Sequence, residues 1–328
     1  MKIFISIASY QDPLLETTIL GAFNNAIAPE NLHFGICDQS SKPLDISLFS
    51  FASQISYEHI DQKISEGPCW ARHRIQNFYE NEDYYFQIDS HMQFENGWDE
   101  YLLKYMIKIQ SDQSEFHKLP IISSYPRAFD VIDFDKKIFK LLDDDKKTHT
   151  IAYREDSIFL KDTFSRQIGA ISETEITHGY LLAAGCLFAP GNFVKEVPYD
   201  SEFYFYGEEI SIMLRAFTRG FSIFHIPAVP VFHLYTDVSH IKRKLHWDEE
   251  EDKKREIKWH EREEKSIKRL SQIIDGKLDG IFGLGDKRSL EDYEFLSGIN
   301  FKKRSVTNKS KAVTADFISS LSWKESPF

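Results

Sequence analysis

The chain has 328 residues, of which 42% are hydrophobic and 14% aromatic, and its formal net charge is -11. This length and composition suffice for one large globular domain or two small ones, and they exclude an intrinsically disordered chain. The acidic balance argues against a nucleic-acid-binding protein, because affinity for a phosphate backbone needs an excess of clustered lysine and arginine.

The apolar segments are too short for a membrane anchor. The first of them, Met1 to Ala8, is followed by Gln11-Asp12-Pro13, which breaks the run before it reaches the length of a signal peptide. The longest later stretch, residues 180–190, falls short of the roughly 18 residues that a membrane-spanning helix needs. The sequence therefore predicts no transmembrane segment.

Three cysteines, Cys37, Cys69 and Cys186, are widely spaced and odd in number. This spacing favours reduced thiols in a core over a disulfide framework or a zinc knuckle. It predicts a cytoplasmic location.

The first sixty residues alternate between strand and helix patterns. Predicted strands cover residues 2–8, 32–37 and 55–60, and Leu14 to Ala26 carry apolar residues at helical spacing. Strand, helix and strand in this order indicate a parallel sheet with crossover helices, and hence an α/β fold.

The next predicted helix begins at Gly67-Pro68 and runs to about Tyr79, with Arg72 near its start. Free N–H groups at a helix start, together with a bidentate guanidinium, can hold a phosphate. A surface arginine beside the packed Trp70 explains the same pattern equally well. The spacing alone leaves both interpretations open.

The predicted strand from Tyr84 to Ile88 leads directly into Asp89-Ser90-His91. In an open α/β sheet, ligands bind at the carboxyl ends of the strands, where this segment lies. A carboxylate and an imidazole two positions apart can bind one divalent cation, which would support the diphosphate of a nucleotide sugar. A surface aspartate followed by a solvated histidine is the competing and commoner meaning of so short a motif.

The middle of the chain is less regular. A helix is predicted from Trp98 to Ile109, a strand at residues 121–124, and a small-residue strand from Leu181 to Phe188. Between them, Phe129 to Thr150 are charged and uneven, which predicts a solvated loop without chemistry, with its tip at residues 143–147.

Two adjacent acids, Glu208 and Glu209, stand at the N-terminus of a predicted helix from Ser211 to Thr218. Acidic residues at this position complement the helix dipole without any further role. The aromatic run before Gly207 argues instead for the wall of a pocket. His233 follows in an apolar segment, where a single histidine is more often a satisfied core residue than a ligand.

The C-terminal part is predicted to be helical. A long charged helix with a sparse apolar stripe covers Trp247 to about Ile274, and Ser289 caps a last helix. The predicted organisation is a main α/β domain at residues 1–245, a helical extension packed on it at 246–300, and a flexible tail at 301–328.

Several stretches, taken together and in order, resemble one known family. They are Ile7–Pro13, Gly67–Arg72, Gln87–His91, Val197–Asp200, Gly207–Glu209, Phe217–Gly220, Gly283–Ser289 and Tyr293–Ile299. They look like the successive blocks of the GlcNAc-transferase family that includes the cytoplasmic Skp1 hydroxyproline GlcNAc-transferases. The Asp-Ser-His segment is also similar to the polypeptide GalNAc-transferases, in which a later histidine completes the metal site.

The resemblance implies a GT-A fold, which is a Rossmann-like, mostly parallel sheet flanked by helices. It also implies a UDP-sugar donor, a divalent metal with Mn²⁺ expected, and retention of the anomeric configuration. The implied activity moves a sugar, with GlcNAc expected, to a hydroxyl of a protein or glycan acceptor, and it is compatible with an oligomer. Two other classes stay open, namely a nucleotide-sugar hydrolase and an inactive carbohydrate-binding protein on the same fold.

The resemblance also implies roles for single residues. The implied metal ligands are Asp89, His91 and His233. The residues implied at the nucleotide are Ala8, Ser9, Tyr10, Asp12, Arg72, Asp89 and Ser90.

The implied catalytic residues are Arg72, Glu208 and Glu209. Arg72 would meet the diphosphate or the donor sugar, and one of the two glutamates would face the sugar and the acceptor. A cation and an arginine stabilise a leaving UDP, while the oxocarbenium-like transition state favours a nearby carboxylate. The stretch from Phe129 to Arg166 matches no block of the family, and acceptor choice can reside there.

Overall fold

A computed structural model of the chain describes residues 1–112, 114–142, 146–153, 167–172, 175–235 and 243–306. Its strands are β1 (Ile3–Tyr10), β2 (Leu32–Ser40), β3 (Ile55–Asp61), β4 (Tyr84–Asp89), β5 (Met92–Phe94), β6 (Pro120–Ser123), β7 (Arg127–Asp133), β8 (Ile138–Leu141), β9 (Thr148–Tyr153), β10 (Gln167–Ser172), β11 (Thr177–Gly179), β12 (Cys186–Pro190), β13 (Ser222–His225), β14 (Val231–His233), β15 (Ile299–Asn300) and β16 (Ser305–Val306). Its α-helices are α1 (Leu15–Asn24), α2 (Pro68–Gln76), α3 (Trp98–Gln110), α4 (Phe193–Glu196), α5 (Glu208–Thr218), α6 (Glu249–Asp252), α7 (Trp259–Ile274) and α8 (Leu290–Ser297).

The largest sheet has eight strands in the order β11-β13-β6-β12-β4-β1-β2-β3. Strands β4, β1, β2 and β3 are parallel neighbours, whereas β12 runs antiparallel to both β4 and β6. The parallel half is the part that the strand and helix alternation predicted. Its central strands are apolar along nearly their whole length because helices cover both faces of the sheet.

Two large cores lie on the two faces of this sheet. Successive side chains of a strand point to opposite faces, so Phe4 of β1 packs into one core and Ile5 into the other. The three cysteines are buried and unpaired, as predicted, with Cys37 and Cys69 in one core and Cys186 in the other.

The predicted solvated loop from Phe129 to Thr150 is wrong. This stretch contains most of β7, all of β8 and the start of β9, and β7 pairs with both β8 and β14. Phe129 and Val131 are buried and pack with Phe232 in a small third core, whereas the residues between and after them, Asp130 and Ile132, are more exposed. The high charge of the stretch and the exposed Ile132 concealed this two-residue period. Residues 143–145 of the predicted loop tip lie outside the described residues.

The predicted small-residue strand from Leu181 to Phe188 is only partly a strand. Strand β12 begins at Cys186, and residues 181–185 form a loop at the carboxyl end of β4. Gly185 passes so close to Asp89 that a Cβ atom on it would lie 2.4 Å from a carboxylate oxygen. The small residues of this loop therefore allow its backbone to approach Asp89 closely, and they do not indicate a strand.

Helices α7 and α8 of the C-terminal extension pack against α5. The predicted single helix is divided into α6 and α7 by residues 253–258, and Leu270 and Ile273 of α7 are fully buried in a main core. Phe301, which the sequence placed in a flexible tail, is 2% exposed in the same core, so packing continues past the predicted boundary.

Among the described helices, none combines the length and the apolar character needed to cross a membrane.

Candidate functional site

Three potential ligand side chains meet at the carboxyl end of β4. Asp89 is the last residue of β4, and His91 lies in the turn before β5. Strand β5 pairs antiparallel with β14 so that His233 is opposite Met92. This register brings His233 beside His91 across a separation of 142 residues.

The spacing of the three side chains suits a single cation. Nε2 of His91 lies 3.0 Å from Nε2 of His233, which in turn lies 3.3 Å from Oδ2 of Asp89. Two ligand atoms at right angles around an ion, each about 2.1 Å from it, are roughly 3 Å apart. The three ligand atoms all lie within 4.8 Å of one another, and one carboxylate with two imidazoles is a donor set that Mn²⁺ accepts.

Asp12 fixes the orientation of His91. Its Oδ2 accepts hydrogen bonds from Nδ1 of His91 at 2.6 Å and from Oγ of Ser90 at 2.8 Å. Since Nδ1 carries the proton, Nε2 of His91 presents its lone pair to the cluster. A carboxylate behind a ligating histidine is a recurring feature of metal sites, so Asp12, implied at the nucleotide, also supports the cluster.

The protonation states of the cluster fit a cation as well. Burial opposes ionisation of Asp89, but the hydrogen bond with His233 and the charge of Arg72 outweigh it and hold the pKa of the carboxyl well below its usual value. Burial lowers the pKa of His233 despite the nearby carboxylate of Asp89. An ionised aspartate and a neutral histidine are the forms that bind a metal ion.

Arg72 and Glu208 form a buried ion pair behind Asp89. The guanidinium donates to Oε1 of Glu208 at 2.5 Å and to Oδ1 of Asp89 at 3.0 Å. The hydroxyl of Tyr199 donates to the same Glu208 oxygen at 2.6 Å. Arg72 is 5% exposed, which excludes the surface-arginine interpretation, and its guanidinium is held by two carboxylates.

Glu209 is not part of this ion pair and has its own hydrogen-bond donors. Its Oε1 accepts a hydrogen bond from the backbone N–H of Ala184 at 2.9 Å, and its Oε2 accepts one from the side-chain amide of Gln167. Burial raises the pKa of Glu209 to about 7, and the charge of Glu208 adds to the effect. The two acids thus differ in environment because successive residues of a helix face different directions.

Two cavities meet at Asp89. The larger, of about 380 Å³, is lined by Arg72, Glu208, Glu209 and His233 among others. The smaller, of about 270 Å³, is lined by Ala8, Tyr10, Asp12, Ser90 and His91 among others. Ser9 is the predicted site residue that lines neither, since it is 1% exposed and alternation along β1 turns it into the protein.

Several lining residues escaped the sequence analysis. In the larger cavity these include Tyr125, Gln167 and Tyr235, and in the smaller one residues 243–247. A signal for Tyr235 exists, because it follows His233 by two positions, the spacing that places side chains on one face of an extended segment. No local pattern marks Gln167 or residues 243–247.

A family model described as Glycosyltransferase (GlcNAc) matches residues 2–50 and 42–303 of the chain. The match therefore covers both cavities and every predicted site residue. A search of curated proteins finds no match to the chain.

Solved structures resemble the chain in fold. GalNAc-T7 with UDP, GalNAc and Mn²⁺ matches with a TM-score of 0.54 and 13% identity, covering 72% of this chain and 44% of that chain. Residues 1–349 of S. aureus TarS with UDP-GlcNAc match with a TM-score of 0.42 and 12% identity, covering 73% and 60%. The mannosyltransferase PcManGT from Pyrobaculum calidifontis with GDP-Man and Mn²⁺ matches with a TM-score of 0.44 and 9% identity, covering 73% and 58%.

These identities are low, so the likeness concerns the fold alone, and the two weaker matches add nothing to it. The match to GalNAc-T7 confirms the GT-A fold that the resemblance implied. The chain spans less than half of the length of GalNAc-T7.

Proposed function

The chain belongs to the GlcNAc glycosyltransferase family, and we propose that it transfers a sugar from a UDP-sugar to a hydroxyl of a protein or glycan acceptor. The proposed reaction depends on a divalent metal, retains the anomeric configuration and uses GlcNAc as the expected sugar. The observation that carries the proposal is the meeting of Asp89, His91 and His233 where the two cavities join. GalNAc-T7 has been crystallised with UDP, GalNAc and Mn²⁺, which supports the same classes of ligand here.

The two cavities suit the two halves of the donor. The smaller one, bordered by Tyr10 and by Arg243 and Lys244, has aromatic and basic groups for a nucleotide. The larger one contains Glu209 and the backbone of Ala184 and Gly185, and it is proposed to hold the sugar and the acceptor hydroxyl.

Transfer breaks the bond between the anomeric carbon and the diphosphate oxygen, and it forms a bond to the acceptor oxygen. When bound, a divalent ion at Asp89, His91 and His233 supplies positive charge next to the leaving diphosphate. Arg72 keeps Asp89 ionised and oriented for that ion. Glu209 lines the larger cavity and, unlike Glu208, is not paired with Arg72, so it is the carboxylate proposed to stabilise the positive charge that develops on the sugar.

We expect UDP to bind weakly in the absence of a divalent cation. Without it, few positive groups oppose the charge of the diphosphate, so Mn²⁺ should strengthen UDP binding by about a hundredfold or more, which is about 2.7 kcal/mol. Isothermal titration calorimetry in EDTA and in Mn²⁺ measures both affinities. Equal affinities in the two buffers would remove Asp89 and His91 from the metal role.

Activity assays complete the test of the proposed function. UDP release is measured with UDP-GlcNAc, UDP-GalNAc and UDP-glucose in Mn²⁺, with and without candidate peptides and glycans, and NMR identifies the anomer of the first product. Free sugar released without any acceptor would indicate a hydrolase, and binding without turnover would indicate a carbohydrate-binding protein.

We expect His233→Ala to weaken Mn²⁺ and UDP binding together, by about tenfold or more for each. The physical reason is that the lost imidazole loosens the cation on which the diphosphate depends. His59→Ala is the matched control, because His59 is an exposed residue of β3 that lines neither cavity. Normal Mn²⁺ and UDP binding by His233→Ala would contradict its assignment as a ligand.

A further inference from the structure

Strands β9 and β10 form a two-stranded antiparallel sheet, and Gln167, the first residue of β10, lines the larger cavity. Strand β9 lies in the stretch for which the family resemblance offered no counterpart. The carbonyl of His149 in β9 accepts a hydrogen bond from Oγ of Ser124 at 2.9 Å, and Tyr153 at the end of β9 is 1% exposed in a main core. Gln167 is paired with Tyr153 of the neighbouring antiparallel strand, so a well-anchored strand places it at the cavity.

The side-chain amide of Gln167 is oriented by two acceptors. Its Nε2 donates to the carbonyl of Leu182 at 3.0 Å and to Oε2 of Glu209. If the amide were rotated by half a turn, its oxygen would face two acceptor oxygens and could not bond to either. The orientation of the amide is therefore unambiguous. Its Oε1 is buried and has no hydrogen-bond partner among the described residues, so the contacts of this amide are made by its N–H groups.

Glu209 depends on Gln167 for one of its two hydrogen bonds. The other donor, the backbone N–H of Ala184, is fixed by the loop, and Gln167 is the one side chain in the described part of the chain that donates to this carboxylate. The charged or titratable groups that also act on Glu209 are Glu208, Arg72 and the hydroxyl of Tyr125.

We propose that Gln167 is a positioning residue for Glu209 and that the start of strand β10 is thereby part of the catalytic site. This inference rests on the proposed function, in which Glu209 stabilises charge on the sugar. The amide holds the Glu209 carboxylate in one orientation at the cavity wall, and it donates to the ionised form, which it favours. A strand to which the family resemblance assigned no role then controls the orientation of the reacting carboxylate.

The test is Gln167→Met, which keeps the length of the side chain and removes its N–H groups. We expect transfer to fall by about tenfold or more while the affinity for UDP and Mn²⁺ stays within about twofold, because the change acts on the reacting step. Loss of a donor to the ionised form raises the pKa of Glu209, so the acidic limb of the pH–rate profile should move to higher pH. Ile168→Met is the matched control, since Ile168 is the next residue of β10 and is 51% exposed.

A double-mutant cycle shows whether Gln167 acts through Glu209. In a Glu209→Gln background, Gln167→Met should change transfer little further, whereas independent effects would multiply. If the two substitutions reduce the transfer rate independently, so that their effects multiply, the inference is overturned. It is also overturned if Gln167→Met lowers the rate without moving the acidic limb of the pH–rate profile, because both results would indicate a general effect on the fold. A large loss in Glu209→Gln with none in Gln167→Met would overturn the inference and leave the proposed function standing. No loss in either variant would remove Glu209 from the proposed reaction and the inference with it.

Discussion

Glu209→Gln should lower sugar transfer by about a hundredfold or more while leaving UDP–Mn²⁺ affinity within about twofold. The substitution is nearly isosteric, and Glu209 lies outside the set of three proposed metal ligands. What it removes is the negative charge at the wall of the larger cavity, which matters when positive charge develops on the sugar. Single-turnover transfer rates and calorimetric UDP affinities, measured on the same preparation, separate the two effects.

The same substitution should change the stability of the fold little. The pKa of Glu209 is raised to about 7, above the ordinary value of an unfolded glutamate, so its ionisation works against folding. This destabilisation is absent at a pH well below the pKa that Glu209 has in the unfolded chain. It is fully present once the pH has risen above the pKa of Glu209 in the folded protein. The amide of Glu209→Gln cannot accept the hydrogen bond from Gln167, and this cost opposes the gain from removing the buried charge. At pH 8, therefore, Glu209→Gln should unfold at a temperature close to that of the wild type.

Glu208→Gln is the matched comparison at the neighbouring position. Glu208 is 4% exposed and pairs with the buried guanidinium of Arg72, which also holds Asp89. Breaking one side of a buried ion pair commonly costs about 3–5 kcal/mol, so this variant should unfold at a clearly lower temperature. If instead Glu208→Gln kept its stability and lost transfer while Glu209→Gln transferred normally, the two glutamates would have the opposite roles.

Part of the site could be predicted from local sequence, whereas the rest is brought together by strand pairing. Asp89 and His91 could be found because an apolar strand visibly ends at them. His233 could not be assigned from its own neighbourhood, since its place depends on the pairing of β5 with β14. The choice between Glu208 and Glu209 needed the position of Arg72, and Gln167 needed the register of β9 with β10, which no short motif encodes.

The fold likewise has a part that the sequence predicted and a part that it did not. The parallel half was predictable because its buried strands are continuous apolar runs separated by an amphipathic helix. The prediction failed from Phe129 to Thr150, where charged residues share short strands with Phe129 and Val131, and the buried face became visible only against Phe232 of β14. Short strands that bury one face against a distant segment leave little periodicity in their own sequence.

Deleting the chain from Trp247 onward should prevent folding. The deletion removes seven side chains that are each at most 3% exposed in a main core, namely Leu270, Ile273, Ile274, Tyr293, Leu296, Ile299 and Phe301. Burying one large apolar side chain contributes about 1.5–3 kcal/mol, so together they rival the roughly 5–15 kcal/mol net stability of a typical domain. Soluble yield and urea unfolding followed by circular dichroism measure the outcome.

The deletion should also disturb the site, because α7 holds the loop that leads to the two glutamates. Oγ of Ser266 accepts a hydrogen bond from the backbone N–H of Tyr204 at 2.7 Å, and the carboxylate of Glu263 accepts one from that of Tyr206 at 3.0 Å. The control is a chain that ends at Val306, which keeps every described residue and should unfold at the same urea concentration as the full chain. A soluble fragment ending at residue 246 that unfolds cooperatively and binds UDP would contradict this prediction, because the extension would then be a separate module rather than a part of the core.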